Sequence, residues 1–236
     1  MHPATLLLSL FTTPILASTA SILASTASSP PVPSLAIPAC PNQGTVTYTK
    51  SLPNLTSFPP TSVNACYSPT ALHLTLTAHN ETAFFFNASQ TTNDPIWQYE
   101  VMEAFIARGE GDPQTYLEFE VSPANTTFQA FIYNPSKVRA AGAAFDTFFI
   151  TQPGADGFRA VTRLDRERKT WKSKVEIPLG LFNVDEGEGR GTRWRMNFFR
   201  TVVSSEMFPD QVLGAWSPTN QSSFHMTPFF GRVVLV

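Results

Sequence analysis

Apolar residues in this chain recur at every second position in short runs, and no window of about a dozen residues shows them at helical spacing. In Ala71–Ala78, Leu72, Leu74 and Leu76 point one way and His73, Thr75 and Thr77 the other. Thr115–Ser122 sets Leu117, Phe119 and Val121 against Tyr116, Glu118, Glu120 and Ser122, and Thr192–Val203 sets Trp194, Met196 and Phe198 against Arg193, Arg195 and Asn197. Further short strands are expected at Thr45–Tyr48, Glu100–Ile106, Thr127–Tyr133, Asp146–Thr151, Phe158–Leu164, Trp171–Ile177, Leu213–Pro218 and Phe230–Val236. Phe84–Phe86 reads as a short buried strand or a packed loop, and Leu179–Phe182 as one helical turn. Pro53, Pro59 and Pro60 argue against a central strand between Ser51 and Pro69. Turn signals about every ten residues join these segments, the pattern of an all-β, antiparallel β-sandwich. The 236 residues suffice for one such domain with a sizeable core, placed at 44–236. Twenty Phe make that core strongly aromatic.

The start of the chain reads as an address. Residues 1–24 combine an apolar run, Leu6 to Leu16, with small residues after it, as in a secretory signal peptide, although His2 is the only basic residue before the run. The run is too short and broken to span a membrane. Residues 25–43 are rich in Ser and Pro and suit an extended linker or N-terminal arm. Cys40 and Cys66 are the only cysteines, a pair able to form one disulfide in an oxidising compartment. Sequons at Asn54, Asn80, Asn87, Asn125 and Asn220 agree with export and N-glycosylation. A secreted, extracellular, monomeric protein is expected. A formal net charge of −2 offers no electrostatic footprint for nucleic acid or an anionic membrane.

Catalytic signals are missing. There is no Gly-x-Ser-x-Gly elbow, and His73, His79 and His225 are the only histidines after the signal segment. Glu100 with Glu103, and Glu118 with Glu120, are the carboxylates near enough in sequence to pair for glycoside hydrolysis. The second pair reads as the solvated face of a strand. No clustered Cys/His pattern marks a metal. Asn183–Gly187 resembles the start of a calcium loop, but Gly187 takes the fifth position, where a ligand is needed. No enzyme and no cofactor are expected, with a structural calcium the one metal kept open. A minor alternative is a b-type cytochrome domain with axial ligands drawn from Met102, Met196 and His225.

Asn93–Ile106 is the stretch most suggestive of a ligand. Asn93-Asp94-Pro95 sets a bend, Trp97 follows on the loop, and the next strand carries Glu103 between Val101 and Phe105. A carboxylate among apolar neighbours costs free energy unless something satisfies it. Trp97 could stack on a flat partner while Glu103 takes that partner's hydroxyl groups. Phe224, on the polar loop Ser222–His225, supplies a second ring. Trp171 and Trp194 read as core, and Trp216, at the start of a loop, as either core or site.

Three segments together resemble carbohydrate-binding module family 9 and its fungal relatives: W-Q-Y-E-V-M-E-A-F-I at 97–106, W-K-S-K-V-E-I-P at 171–178 with W-R-M-N-F-F-R at 194–200, and W-S-P-T-N-Q-S-S-F-x₅-F-G ending at Gly231. Order and spacing match from about Leu72 to Val236. The resemblance implies a jelly-roll or DOMON-like sandwich that holds the terminal sugar of a glucan or xylan between two aromatic rings. Trp97 matches the first stacking Trp, Glu103 the acidic hydroxyl-binding residue, Phe224 the second stacking ring, and Gln221 a position that is Asn in the sugar-binding modules. Glu120 and Ser122 stand where those modules carry Arg and Asn, so a forked donor for sugar oxygens is replaced by a carboxylate. Glu120 and Trp216 complete the candidate carbohydrate site. Carbohydrate is the expected partner; a structural or effector-like sandwich without a sugar ligand is the remaining alternative.

Overall fold

The structure is a computed structural model in which residues 30–236 are described; the expected signal segment, 1–24, lies outside them. In chain order the strands are β1 (Ser34–Ile37), β2 (Gly44–Lys50), β3 (Ser57–Tyr67), β4 (Ala71–His79), β5 (Val101–Arg108), β6 (Thr115–Val121) and β7 (Thr127–Tyr133). They continue with β8 (Asp146–Phe149), β9 (Arg159–Asp165), β10 (Thr170–Pro178), β11 (Arg193–Val202), β12 (Val212–Ala215) and β13 (Gly231–Leu235). The larger sheet runs β1-β13-β11-β5-β6-β7-β8, with β12 also paired to β11, and the smaller runs β2-β3-β4-β10-β9. All neighbours are antiparallel except β1 and β13. No helix among the described residues is long and apolar enough to cross a membrane.

The period-2 pattern places the main core between the sheets. Leu72, Leu74 and Leu76 of β4 and Trp171, Val175 and Ile177 of β10 face Met102, Ala104 and Ile106 of β5, Leu117 and Phe119 of β6, and Trp194 and Phe198 of β11. Both buried indoles are satisfied locally: Trp171 Nε1 donates to Ser173 Oγ (2.9 Å) and Trp194 Nε1 to Thr192 Oγ1 (2.8 Å). A second apolar cluster covers the other face of the larger sheet, where Val101, Phe105, Tyr116, Phe128 and Phe199 lie under loop residues Ile96, Phe224 and Phe230. The central strands are therefore buried on both faces, and this decides the character of the site.

Several expectations need correction. Ser57–Tyr67 is an eleven-residue strand between β2 and β4 despite Pro59 and Pro60. The β2–β3 register breaks between Tyr48 and Lys50, and β4 begins pairing only at Thr61. The prolines thus sit in a bulge where no ladder amide is required. Within 25–43, Ser34–Ile37 joins the larger sheet beside β13. Phe84–Phe86 is a loop, with Phe84 buried. The haem pair does not meet: Met102 and Met196 lie in the inter-sheet core, and His225 packs on Phe105 across the sheet. The expected disulfide between Cys40 and Cys66 is present, Cα–Cα 5.1 Å. The side chains of all five sequon asparagines lie at least partly in solvent.

Candidate functional site

On the outer face of the larger sheet, a cleft of about 390 Å3 opens between three loop regions. Its first wall comes from the turn before β5. Asn93 takes a positive φ (66°); its amide donates to the Ile150 carbonyl (2.9 Å), and its Oδ1 accepts from Gln129 N (3.0 Å) and Nε2 (2.8 Å). Asp94 accepts from Thr91 N–H at 2.6 Å. The 3-10 turn Ile96–Gln98 follows, burying Ile96 and leaving Trp97 44% exposed. Phe128 meets the Trp97 ring edge-on at 5.3 Å, and Gln211 Nε2 donates to the Trp97 carbonyl at 2.7 Å. The opposite wall holds Phe224, one face of which is stacked on Phe199 with centroids 4.2 Å apart. Only its remaining surface, 9% of the residue, is open.

Glu103 and Glu118 form the acidic floor. Glu103 of β5 stands directly opposite Glu120 of β6, and Glu118 lies two residues along on the same face. Glu118 and Glu120 are buried, which overturns their reading as a solvated strand face. Oxygens of all three carboxylates lie within 4.8 Å of one another. Burial and the neighbouring Glu118 push Glu103 well above the ordinary carboxylate range. Burial, then Glu103 and Glu118, does the same for Glu120, and burial raises Glu118 to about 8. His225 is held neutral: burial, then Arg139, lowers it to about 3. Its Nδ1 is 2.7 Å from the Tyr116 hydroxyl, and its Nε2 3.9 Å from Glu118 Oε1. Arg139 reaches the cleft with its guanidinium 4.4 Å from the Phe145 ring centre.

Trp97 and Glu103, from the one stretch Asn93–Ile106, and Phe224, from a loop far along the chain, are brought together at this cleft. Glu120 stands beside Glu103 on the neighbouring strand, fully buried and outside the cleft lining. Gln221 is exposed and outside the cleft, its carbonyl accepting from Thr219 Oγ1 (2.7 Å). Trp216 packs on Phe198 of the inter-sheet core and lies against Gly231. Glu118, Arg139 and Phe128 were not expected here. A signal for Glu118 existed: Val101 and Phe105 beside it, and Phe128, Ala130 and Ile132 on β7, mark this sheet face as apolar. A carboxylate on the strand between them had to be buried too.

No protein-family model matches the chain. The fold is similar to that of a protein from Bacteroides uniformis assigned as carbohydrate-binding, with TM-score 0.64, 15% identity, and 86% of this chain and 99% of that one covered. It is also similar to a family 9 carbohydrate-binding module from Caldicellulosiruptor kristjanssonii solved with cellotriose (TM-score 0.53) and with glucose (TM-score 0.54). Both are 13% identical and cover 86% of this chain, with 93% and 95% of those chains matched. At these identities the likeness is one of fold. An extracellular protein of Arthroderma benhamiae is 51% identical over 204 residues, 86% of this chain and 91% of that protein, and the chain belongs to its family.

Proposed function

We propose that the protein is secreted and binds carbohydrate without catalysis, taking the end of a glucan or xylan chain in the cleft beneath Trp97. The carrying observation is the convergence of an exposed Trp97, a second ring at Phe224 and the Glu103 carboxyl on one concave site. Sugar C–H faces pack on aromatic faces while their hydroxyls seek polar groups, so the cleft offers both halves of that recognition. Solved modules of the same fold carry cellotriose and glucose, and the relative in Arthroderma benhamiae is extracellular; both support the reading. Gln221, outside the cleft, is left out of the proposed site. Glycoside hydrolysis requires two carboxyls on opposite sides of the scissile bond. Glu103, Glu118 and Glu120 are neighbours on one sheet face and cannot flank a bond, which favours binding over hydrolysis.

Depletion assays on insoluble cellulose and xylan test this. Retention of the protein, weakened roughly tenfold or more in Trp97→Ala, is expected. Equal retention of both forms would remove Trp97 from the site.

A further inference from the structure

The strands force three carboxylates together without a cation to match them. Glu103 and Glu120 are cross-strand partners, and like charges directly opposite one another destabilise a sheet. Among the described residues no Lys or Arg forms an ion pair with Glu103, Glu118 or Glu120; Arg139, on the rim of the same cleft, only lowers Glu118 slightly against its burial, and His225 beside them is neutral. Glu120 is 0% exposed, and no N–H or hydroxyl group donates to either of its carboxylate oxygens; its one side-chain partner is another carboxyl, that of Glu118. A buried carboxylate with both oxygens unsatisfied is costly, and it points to something that satisfies it.

We propose that Glu103, Glu118 and Glu120 bind a divalent cation of the hard, oxygen-preferring class, such as calcium, at the floor of the cleft. Their oxygens lie within 4.8 Å of one another. That matches ligands around one ion, because oxygens about 2.3–2.6 Å from a calcium lie at most about 5 Å apart. The donor set is all carboxylate, which suits calcium or manganese better than zinc. His225 stands beside Glu118, and the Tyr116 hydroxyl on its Nδ1 fixes the ring, so Nε2 is in reach as a further donor. Glu103 and Glu118 line the cleft, while Glu120, beside Glu103, is fully buried. An ion there turns its open coordination positions toward the cleft, where water or a sugar hydroxyl can take them. A carboxylate at position 120 then serves as a ligand, in place of a donor to sugar.

Calorimetric titration of the purified, chelator-treated protein with calcium chloride and with manganese chloride, paired with thermal melts, tests the site. No sugar is present, so the outcome is separate from that of the carbohydrate assays. Saturable binding is expected, with the melting temperature raised by about 5 °C or more at a hundredfold excess over Kd. Both responses should vanish in Glu120→Gln and in Glu118→Gln, the second variant serving if the first does not fold. A control, Glu186→Gln in the exposed loop after Asn183, should respond as the unaltered protein does. Silence toward both ions up to about 10 mM, beyond the range of weak extracellular calcium sites, would overturn the proposal. So would binding unchanged in the Glu118 and Glu120 variants, which would place the ion elsewhere.

Discussion

Arg200 is 1% exposed and meets an equally buried Glu81 at 2.6 Å, while Glu100, with no exposed surface, lies close by. Burial raises Glu81, but Arg200 and the Phe84 and Ala83 N–H groups outweigh it and hold the carboxyl below its ordinary range. Glu81→Ala leaves the guanidinium buried and unpaired, and should cost about 3–5 kcal/mol in a urea unfolding experiment. Glu100 goes the other way: burial, then Glu81, raises it to about 8. Its protonated form is the one that favours folding. Its stabilising contribution is therefore complete below about pH 4.5, falls by roughly 1.4 kcal/mol per pH unit as the pH rises toward 8, and is flat beyond. In Glu100→Gln, which keeps an acceptor for the Phe85 N–H, unfolding midpoints at pH 5 and pH 8 should differ less than in the unaltered protein. An equal difference would mean that Glu100 ionises normally. None of these partners was legible in sequence: Glu81 follows a strand, Arg200 lies within another, and 119 positions separate them.

Among the elements, alternation fixed which residues of β4, β6 and β11 face the inter-sheet core, and those faces stand as read. It did not reveal what covers the outer face of β5, β6 and β11, because a solvated face is the ordinary expectation for an antiparallel sheet. Ile96, Phe224 and Phe230 arrive from loops that carry no period of their own. The long β3 was missed for a related reason: Pro59 and Pro60 count against a strand only where both edges are paired, and a bulge removes that demand. Gly231 at the head of β13 shows how tightly these elements fit. A Cβ there would come within 2.3 Å of the Trp216 ring. Gly231→Ala is expected to destabilise the protein by about 1–3 kcal/mol, visible as a lower urea midpoint; an unchanged midpoint would mean that the ring moves aside freely.

For the whole molecule, the sandwich was legible, because many short alternating segments admit few other architectures. The strand order was not, and neither was the parallel pairing of β1 with β13, which sets Ser34–Ile37 beside Arg232–Leu235. The Cys40–Cys66 bridge ties the stretch after β1 to the end of β3, across a sequence separation of 26. Replacing both cysteines with Ser should cost about 3–4 kcal/mol on the chain-entropy estimate, read as a lower melting temperature with an unaltered cleft. Trp171 and Trp194 are buried in the core and Trp216 is half-buried against it, so Trp97 is the indole most open to a ligand. Tryptophan fluorescence should therefore report on the cleft when glucose, cellobiose and xylobiose are titrated in. A saturable change with at least one of these sugars, abolished in Trp97→Ala, is the expected result; no change with any of them, or one that persists without Trp97, would contradict a sugar site at this cleft.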